Sequence, residues 1–195
     1  MIETQESDQT RLLAIFEAGV ARSAEKLSAL SGVPWHIHIV SLDMVSGERF
    51  KAILARDSRD YIGVRFSTPG ERFLVLFSEE SGEALLNASA FASQRAIPGM
   101  DSAALAEISN ILINGLAGEL ADRQGMVRVI SSPQIASNRK AELCEQAFGD
   151  LPSSGRRMVN VLIHLSSPDL SADCTLLVRL DALSANFLLN APPPR

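Results

Sequence analysis

Leu105-Ala-Glu-Ile-Ser-Asn-Ile-Leu112 opens a long apolar-periodic segment that has a counterpart earlier in the chain. Leu105, Ile108, Leu112, Leu116 and Leu120 recur at helical spacing, so the segment from about Ser102 to Gln124 is predicted to be a helix whose apolar stripe faces a sheet. At about 100° per residue, Glu107, Asn110 and Asn114 point the other way. Glutamate and asparagine three residues apart share a helix face, so one rigid element can present an anion and a carboxamide to the same partner. Asparagine costs a few tenths of a kcal/mol against alanine in mid-helix, because its side chain competes for backbone hydrogen bonds. Two of them on an outward face invite a functional reason; the alternative is an ordinary solvated surface.

Working outward, residues 12–37 laid over residues 105–130, a shift of 93, pair Leu12 with Leu105, Ile15 with Ile108, Ala24 with Ala117, Leu27 with Leu120, Gly32 with Gly125 and Ile37 with Ile130. A second match pairs Leu74-Val75 with Leu177-Val178 and Leu85-Leu86-Asn87-Ala88 with Leu188-Leu189-Asn190-Ala191, at a shift of 103. The ten extra residues must lie between the two matches, and a predicted helix over about Ala136–Phe148 can hold them. Self-similarity of this kind points to one supersecondary unit used twice. Two copies suit a pseudo-twofold domain better than a solenoid, which needs three or more units to bury its core. We therefore expect one domain over 1–195, with repeat one at about 9–91 and repeat two at about 102–191.

The coarse element reading agrees. A helix is predicted over about 9–31, ended by Gly32 and Pro34. Strands follow at about Trp35–Val45, Phe50–Arg56, Tyr61–Phe66 and Arg72–Phe77, with Ser46-Gly47 and Pro69-Gly70 as turns, and a short helix at about Glu79–Phe91. After Pro98-Gly99 come the helix at Ser102–Gln124, a strand at Met126–Ser131, the inserted helix, strands at about Arg157–Ser166 and Cys174–Leu180, and a last helix at about Asp181–Asn190. The expected class is α+β, with long helices packed on one continuous, antiparallel-rich sheet. Residues 1–8 and the tail Ala191-Pro-Pro-Pro-Arg195 are expected to be poorly ordered.

Composition narrows the function classes. With 46% hydrophobic and 21% charged residues over 195 positions, the chain is an ordinary globular one able to bury a sizeable core. A net charge of −5 argues against sequence-independent nucleic-acid binding, which needs a basic surface; Arg139-Lys140 and Arg156-Arg157 are too sparse to make one. No run approaches the ~18 apolar residues of a membrane span, and Met1–Thr10 is polar and acidic where a leader would be basic and then apolar, so a cytoplasmic protein is expected. Cys144 and Cys174 have no metal-ligand spacing and read as buried thiols. His36 and His38 share a strand face and His164 lies on another strand, with no partnering Glu or Cys for zinc. The chain has no Gly-x-Ser-x-Gly elbow and no Gly-x₄-Gly-Lys-Ser/Thr loop.

Around the motif, the chain resembles the CheC/CheX/FliY family of chemotaxis phosphatases, which carry Glu-x-x-Asn on a long exposed helix with a proline some twenty-odd residues on, here Pro133. Gly19-Val-Ala-Arg-Ser-Ala-Glu-Lys-Leu-Ser-Ala-Leu-Ser-Gly32 and Phe73-Leu-Val-Leu-Phe-Ser-Glu-Glu-Ser81 resemble the corresponding helix and strand, so the likeness runs from about residue 10 to 191. It implies a CheC-like fold and hydrolysis of the phosphoaspartate of a phosphorylated CheY-type response regulator. Asn110 would orient the attacking water, Glu107 would pair with the regulator's active-site lysine, and Asn114 and Ser102 would contact the partner. It also implies no cofactor or metal held by this chain, with Mg²⁺ expected on the regulator; an accessory regulatory protein and a homodimer are left open. Ala14 and Glu17 stand opposite Glu107 and Asn110 in the first repeat, so one active face is expected. Ala103 occupies a position where the family often has aspartate or serine, with Asp101 and Ser102 just upstream. The alternative is a catalytically silent module that docks a regulator or another signalling or flagellar-switch protein by the same face.

Overall fold

Helix α1 (Ile2–Ser31) buries Leu12, Ile15, Phe16, Val20, Ala24 and Leu27, a stripe at helical period that can only be hidden against other elements. It ends where Gly32 takes φ +73 and donates to Ser28 O at 2.9 Å, a left-handed stop that glycine adopts without a Cβ clash. The computed structural model describes residues 2–45, 57–87, 101–149 and 158–190. The remaining elements are β1 (His36–Val45), β2 (Asp60–Thr68), β3 (Glu71–Phe77), α2 (Glu79–Asn87), α3 (Asp101–Gln124), β4 (Gln134–Arg139), α4 (Lys140–Phe148), β5 (Met158–Ser167), a 3₁₀ turn (Pro168–Leu170), β6 (Ala172–Leu180) and α5 (Ala182–Asn190). The expected strand at 50–56, the turn at 46–47, the end of the short helix at 88–91 and the tail 191–195 fall outside the described residues.

Among the described residues six strands form one antiparallel sheet in the order β1-β5-β6-β3-β2-β4. The β2–β3 hairpin turns on Pro69-Gly70, with Gly70 at φ +88, the arrangement of a tight turn that needs glycine after proline. The central seam is β3 against β6, where Leu74 faces Leu177. Val159, Val161, Ile163 and Leu165 of β5, with Phe73, Val75 and Phe77 of β3, join the stripes of α1 and α3 in one core. On the opposite face Leu74, Leu76 and Leu177 pack with Leu143, Cys144, Ala147 and Phe148 of α4. Both faces of the central strands are thus covered, which is why Phe73–Phe77 reads as an unbroken apolar run instead of an alternating one. Arg65 and Arg179 donate to Gln146 O (2.8 Å) and Phe148 O (3.3 Å), placing positive charge at the negative end of α4.

Helices α1 and α3 run antiparallel and close together. Ser23 Oγ donates to Leu112 O at 2.7 Å. A Cβ on Gly19 would lie 3.1 Å from Leu116 Cα, and one on Gly115 would lie 3.0 Å from Ser23 Cα. Small residues therefore set the crossing. At its far end α3 closes with Gly125 (φ +62), Gly125 N donating to Asp122 O and Met126 N to Ala121 O, the paired bonds of a Schellman stop.

The structure corrects three sequence expectations. The strand expected at Met126–Ser131 is absent from the sheet; Ser131 N donates to Ser67 O at 2.9 Å, and the edge of β2 is taken instead by Gln134–Arg139. The inserted helix starts at Lys140, not Ala136, because residues 136–139 pair with Asp60–Gly63; long-range ladder pairing overrides local preference there. Finally α1 begins at Ile2 and not at about residue 9. Its Glu- and Gln-rich start is compatible with helix, and Gln9 Nε2 donates to Leu42 O at 2.9 Å, tying it to β1.

Candidate functional site

The outward face of α3 carries the predicted residues. Ala104, Leu105, Ile108, Leu112, Leu116 and Leu120 are buried, so the helix is held by one side and presents the other. Glu107 and Asn114 are exposed and Asn110 is half-buried. Ser102 lies in the first turn of α3; its side chain is outside the described residues. Glu107 and Asn110 are one helical turn apart, a separation of roughly 5–6 Å between Cβ atoms. Asn114 Nδ2 donates to both Asn110 O and Asn110 Oδ1, each at 2.8 Å. Ser109, between the two motif residues, is turned inward and donates to Leu105 O at 2.7 Å.

The register fixed by Ser23–Leu112 and Gly19–Leu116 puts Glu25 and Ala21 of α1 level with Asn110 and Asn114. Both are exposed, so the face is broad and shared by two helices. Further along α3, buried Glu119 is held by Arg123 (2.7 Å) and Arg22 (3.1 Å). Arg22 also bonds Asp122 at 3.0 Å, and that hydrogen bond, with the nearby Glu119 charge, raises the guanidinium's pKa. This cluster joins the two helices about 18 Å from Glu107, at 1.5 Å rise per residue.

Two hollows lie elsewhere. A polar one of about 280 Å³ is lined by Arg65, Ser67, Arg72, Ser131, Gln134 and Gln146. An apolar one of about 410 Å³ is lined by Pro69, Met126, Val127, Val129, Leu183 and Phe187. Neither includes Glu107, Asn110 or Asn114. An exposed helix face offers itself to a macromolecular partner; small ligands are generally held in concave sites.

The other candidates resolve simply. His38 sits opposite His164 across β1 and β5, and His164 Nδ1 lies 3.8 Å from Asp173 Oδ2. Among the described residues no group of three or more His, Cys, Asp or Glu is arranged to hold a metal. Cys144 and Cys174 are free and buried; burial pushes the Cys144 thiol up to about 12 and that of Cys174 higher still, which leaves both unreactive as nucleophiles. No helix among the described residues is long and apolar enough to cross a membrane.

The sequence did not announce two charged clusters, one buried and one at the surface. Glu71 is fully buried, accepting from Thr68 Oγ1 at 2.6 Å and paired with Arg128. Asp57 accepts from Tyr61 Oη (2.7 Å) and both arms of Arg59 (3.0 Å), with Lys140 Nζ at 3.7 Å. Those bonds hold its carboxyl well below the usual range, and burial raises Tyr61 to about 12. Arg128 and Lys140 are far along the chain from Glu71 and Asp57, so no local spacing announces those pairings.

No protein-family model and no curated protein matches the chain. Solved structures do. FliY from Thermotoga maritima superposes with TM-score 0.68 at 13% identity, covering 93% of this chain and 93% of that one. FliM from H. pylori, in a complex with SpeE, gives 0.62 at 10% identity over 94% and 92%. CheX from Desulfovibrio desulfuricans gives 0.51 at 13% over 86% and 99%. At these identities the likeness is one of fold. The α+β chain with its two long helices on a six-stranded antiparallel sheet therefore has the CheC-like fold of the CheC/CheX/FliY group, the fold that its sequence resemblance implied.

Proposed function

We propose that the protein hydrolyses the phosphoaspartate of a phosphorylated CheY-type response regulator, with Glu107 and Asn110 as the working groups. The observation that carries this reading is the presentation of Glu107 and Asn110 together on the outward face of a rigid helix in a CheC-like fold. Asn110 orients a water whose oxygen attacks phosphorus in line. The bond from phosphorus to the aspartyl oxygen breaks, the aspartate leaves as carboxylate, and inorganic phosphate is released. Glu107 pairs with the regulator's lysine and so fixes the docked geometry. Such a transfer asks for positioning and charge stabilisation, not for a covalent nucleophile from the phosphatase. The regulator supplies Mg²⁺ and the phosphoryl group; Ser102 belongs to the contact surface, and Asn114 stands beside Asn110, bonded to it.

The same reading takes the two halves as copies of one unit. Leu74 pairing with Leu177, its counterpart at the shift of 103, supports it. The first copy, with Ala14 and Glu17, lacks the site. The test is dephosphorylation of a CheY-type receiver loaded with acetyl phosphate. Addition of the protein should speed it, and Asn110→Ala should remove ~10²-fold or more of that gain, the usual effect of losing one orienting or stabilising group. Unchanged turnover in Asn110→Ala would refute the assignment. A second reading, a silent docking module, draws on the FliM–SpeE complex, in which a protein of this fold is bound to another protein. Binding of the phosphorylated receiver without any acceleration of phosphate release would favour it.

A further inference from the structure

Asn114 stands one turn beyond Asn110 on the exposed face of α3, and its amide nitrogen makes both of its bonds to that one residue, at 2.8 Å to the backbone oxygen and 2.8 Å to Oδ1. A carboxamide has two nearly isosteric ends, one a donor and one an acceptor, and it can turn over about its last torsion. Here the ambiguity is removed in two steps. The backbone oxygen of Asn110 can only accept, so the end of Asn114 that meets it must be nitrogen. That nitrogen can only donate, so the end of the Asn110 side chain that meets it must be oxygen. The Asn110 carboxamide is thereby set with Oδ1 toward the C-terminal turn and its Nδ2 hydrogens on the opposite arm; among the described residues those hydrogens have no partner.

We infer that Asn114 is a positioning residue: it locks Asn110 in one rotamer and one flip state, so that the amide meets the attacking water already oriented. This rests on the hydrolytic reading of Glu107 and Asn110 given above. Without the lock, Asn110 spends most of its time in orientations that hold the water badly, and misplacement of a reacting group is expensive in rate even when affinity is kept. The effect therefore falls on kcat and leaves KM alone. It distinguishes Asn114 from a plain docking contact, whose loss would raise KM.

The experiment uses the full chain and acetyl-phosphate-loaded receiver, with Asn114→Ala, Asn114→Asp and Asn114→Gln beside Asn110→Ala. Asn114→Ala should lower kcat about five- to tenfold with KM within about twofold, a partial loss of orientation. Asn114→Asp, isosteric but without a donor and repelling both oxygens, should do at least as much damage. Asn114→Gln, which keeps the donor on a longer arm, should recover part of the rate. Independently of turnover, the side-chain amide of Asn110 should be ordered in the parent, with an NMR order parameter near about 0.8, and fall below about 0.6 in Asn114→Ala. An unchanged order parameter, or an unchanged kcat in Asn114→Ala where Asn110→Ala is inactive, overturns the inference. If Asn110→Ala itself keeps full activity, the hydrolytic reading of the site fails, and with it the positioning role, whatever the amide order shows.

Discussion

At the scale of single residues, the buried Glu71–Arg128 pair makes the chain sensitive to a point change. Glu71 is fully buried, its Oε1 has no hydrogen-bond partner among the described residues, and desolvation raises its pKa against the pull of Thr68 and Arg128. A carboxyl whose folded value is raised contributes most below its unfolded value, and the contribution falls away as pH rises through the folded value. Removing the cation steepens that fall. Arg128→Ala should cost ~3–5 kcal/mol near neutral pH by stranding a buried carboxylate, with the deficit shrinking as the solution is made acidic and Glu71 takes up a proton. Urea unfolding of both proteins at about pH 5 and about pH 7 measures this; a deficit independent of pH would mean that Glu71 does not carry it. The outward placement of Glu107, Asn110 and Asn114 could be read from helical period alone. The Glu71 pair could not, since its partners are far apart in sequence and meet only where the segment after α3 passes the β2–β3 turn.

Elements show the same division. The stripes of α1 and α3 and the stops at Gly32 and Gly125 are local features, and they appear in the structure within a residue or two of their predicted ends at those termini. The crossing of the two helices is not local, and glycine decides it at one position and not at its neighbour. At Gly115 a Cβ would meet the backbone of Ser23 at 3.0 Å, whereas at Gly118 it would meet nothing within 4 Å. Gly115→Ala should therefore be destabilising, because overpacking of ~1–3 kcal/mol outweighs the ~1 kcal/mol that alanine adds to a helix. Gly118→Ala should be stabilising by up to ~1 kcal/mol. Thermal unfolding should move in opposite directions for the two, by roughly 2–4 °C per kcal/mol for a chain of this size. A rise for Gly115→Ala would show that α1 moves aside freely. The strand misread at Met126–Ser131 has the same cause: a β-prone run was visible, but which segment would win the edge of β2 depended on a ladder of distant partners.

For the whole molecule, one sheet holds strands from both halves of the chain, with β1 from the first half beside β5 and β4 from the second beside β2. Because the halves are proposed as copies, Ala14→Glu with Glu17→Asn should place a second Glu-x-x-Asn pair on the exposed face of α1, where both positions are already solvent-facing, and raise turnover per molecule. Failure of the grafted site in an otherwise folded, active protein would count against the equivalence of the two helices. By itself the sequence determined the periodicities: which helix faces are apolar, where glycine and proline end them, and that Glu107 and Asn110 share an outward turn. These follow from backbone geometry, which each short segment carries with it. Only the tertiary structure decided which strand pairs with which, how closely α1 approaches α3, and which charges are buried together, because each depends on contacts between residues distant along the chain, made only when the whole core closes.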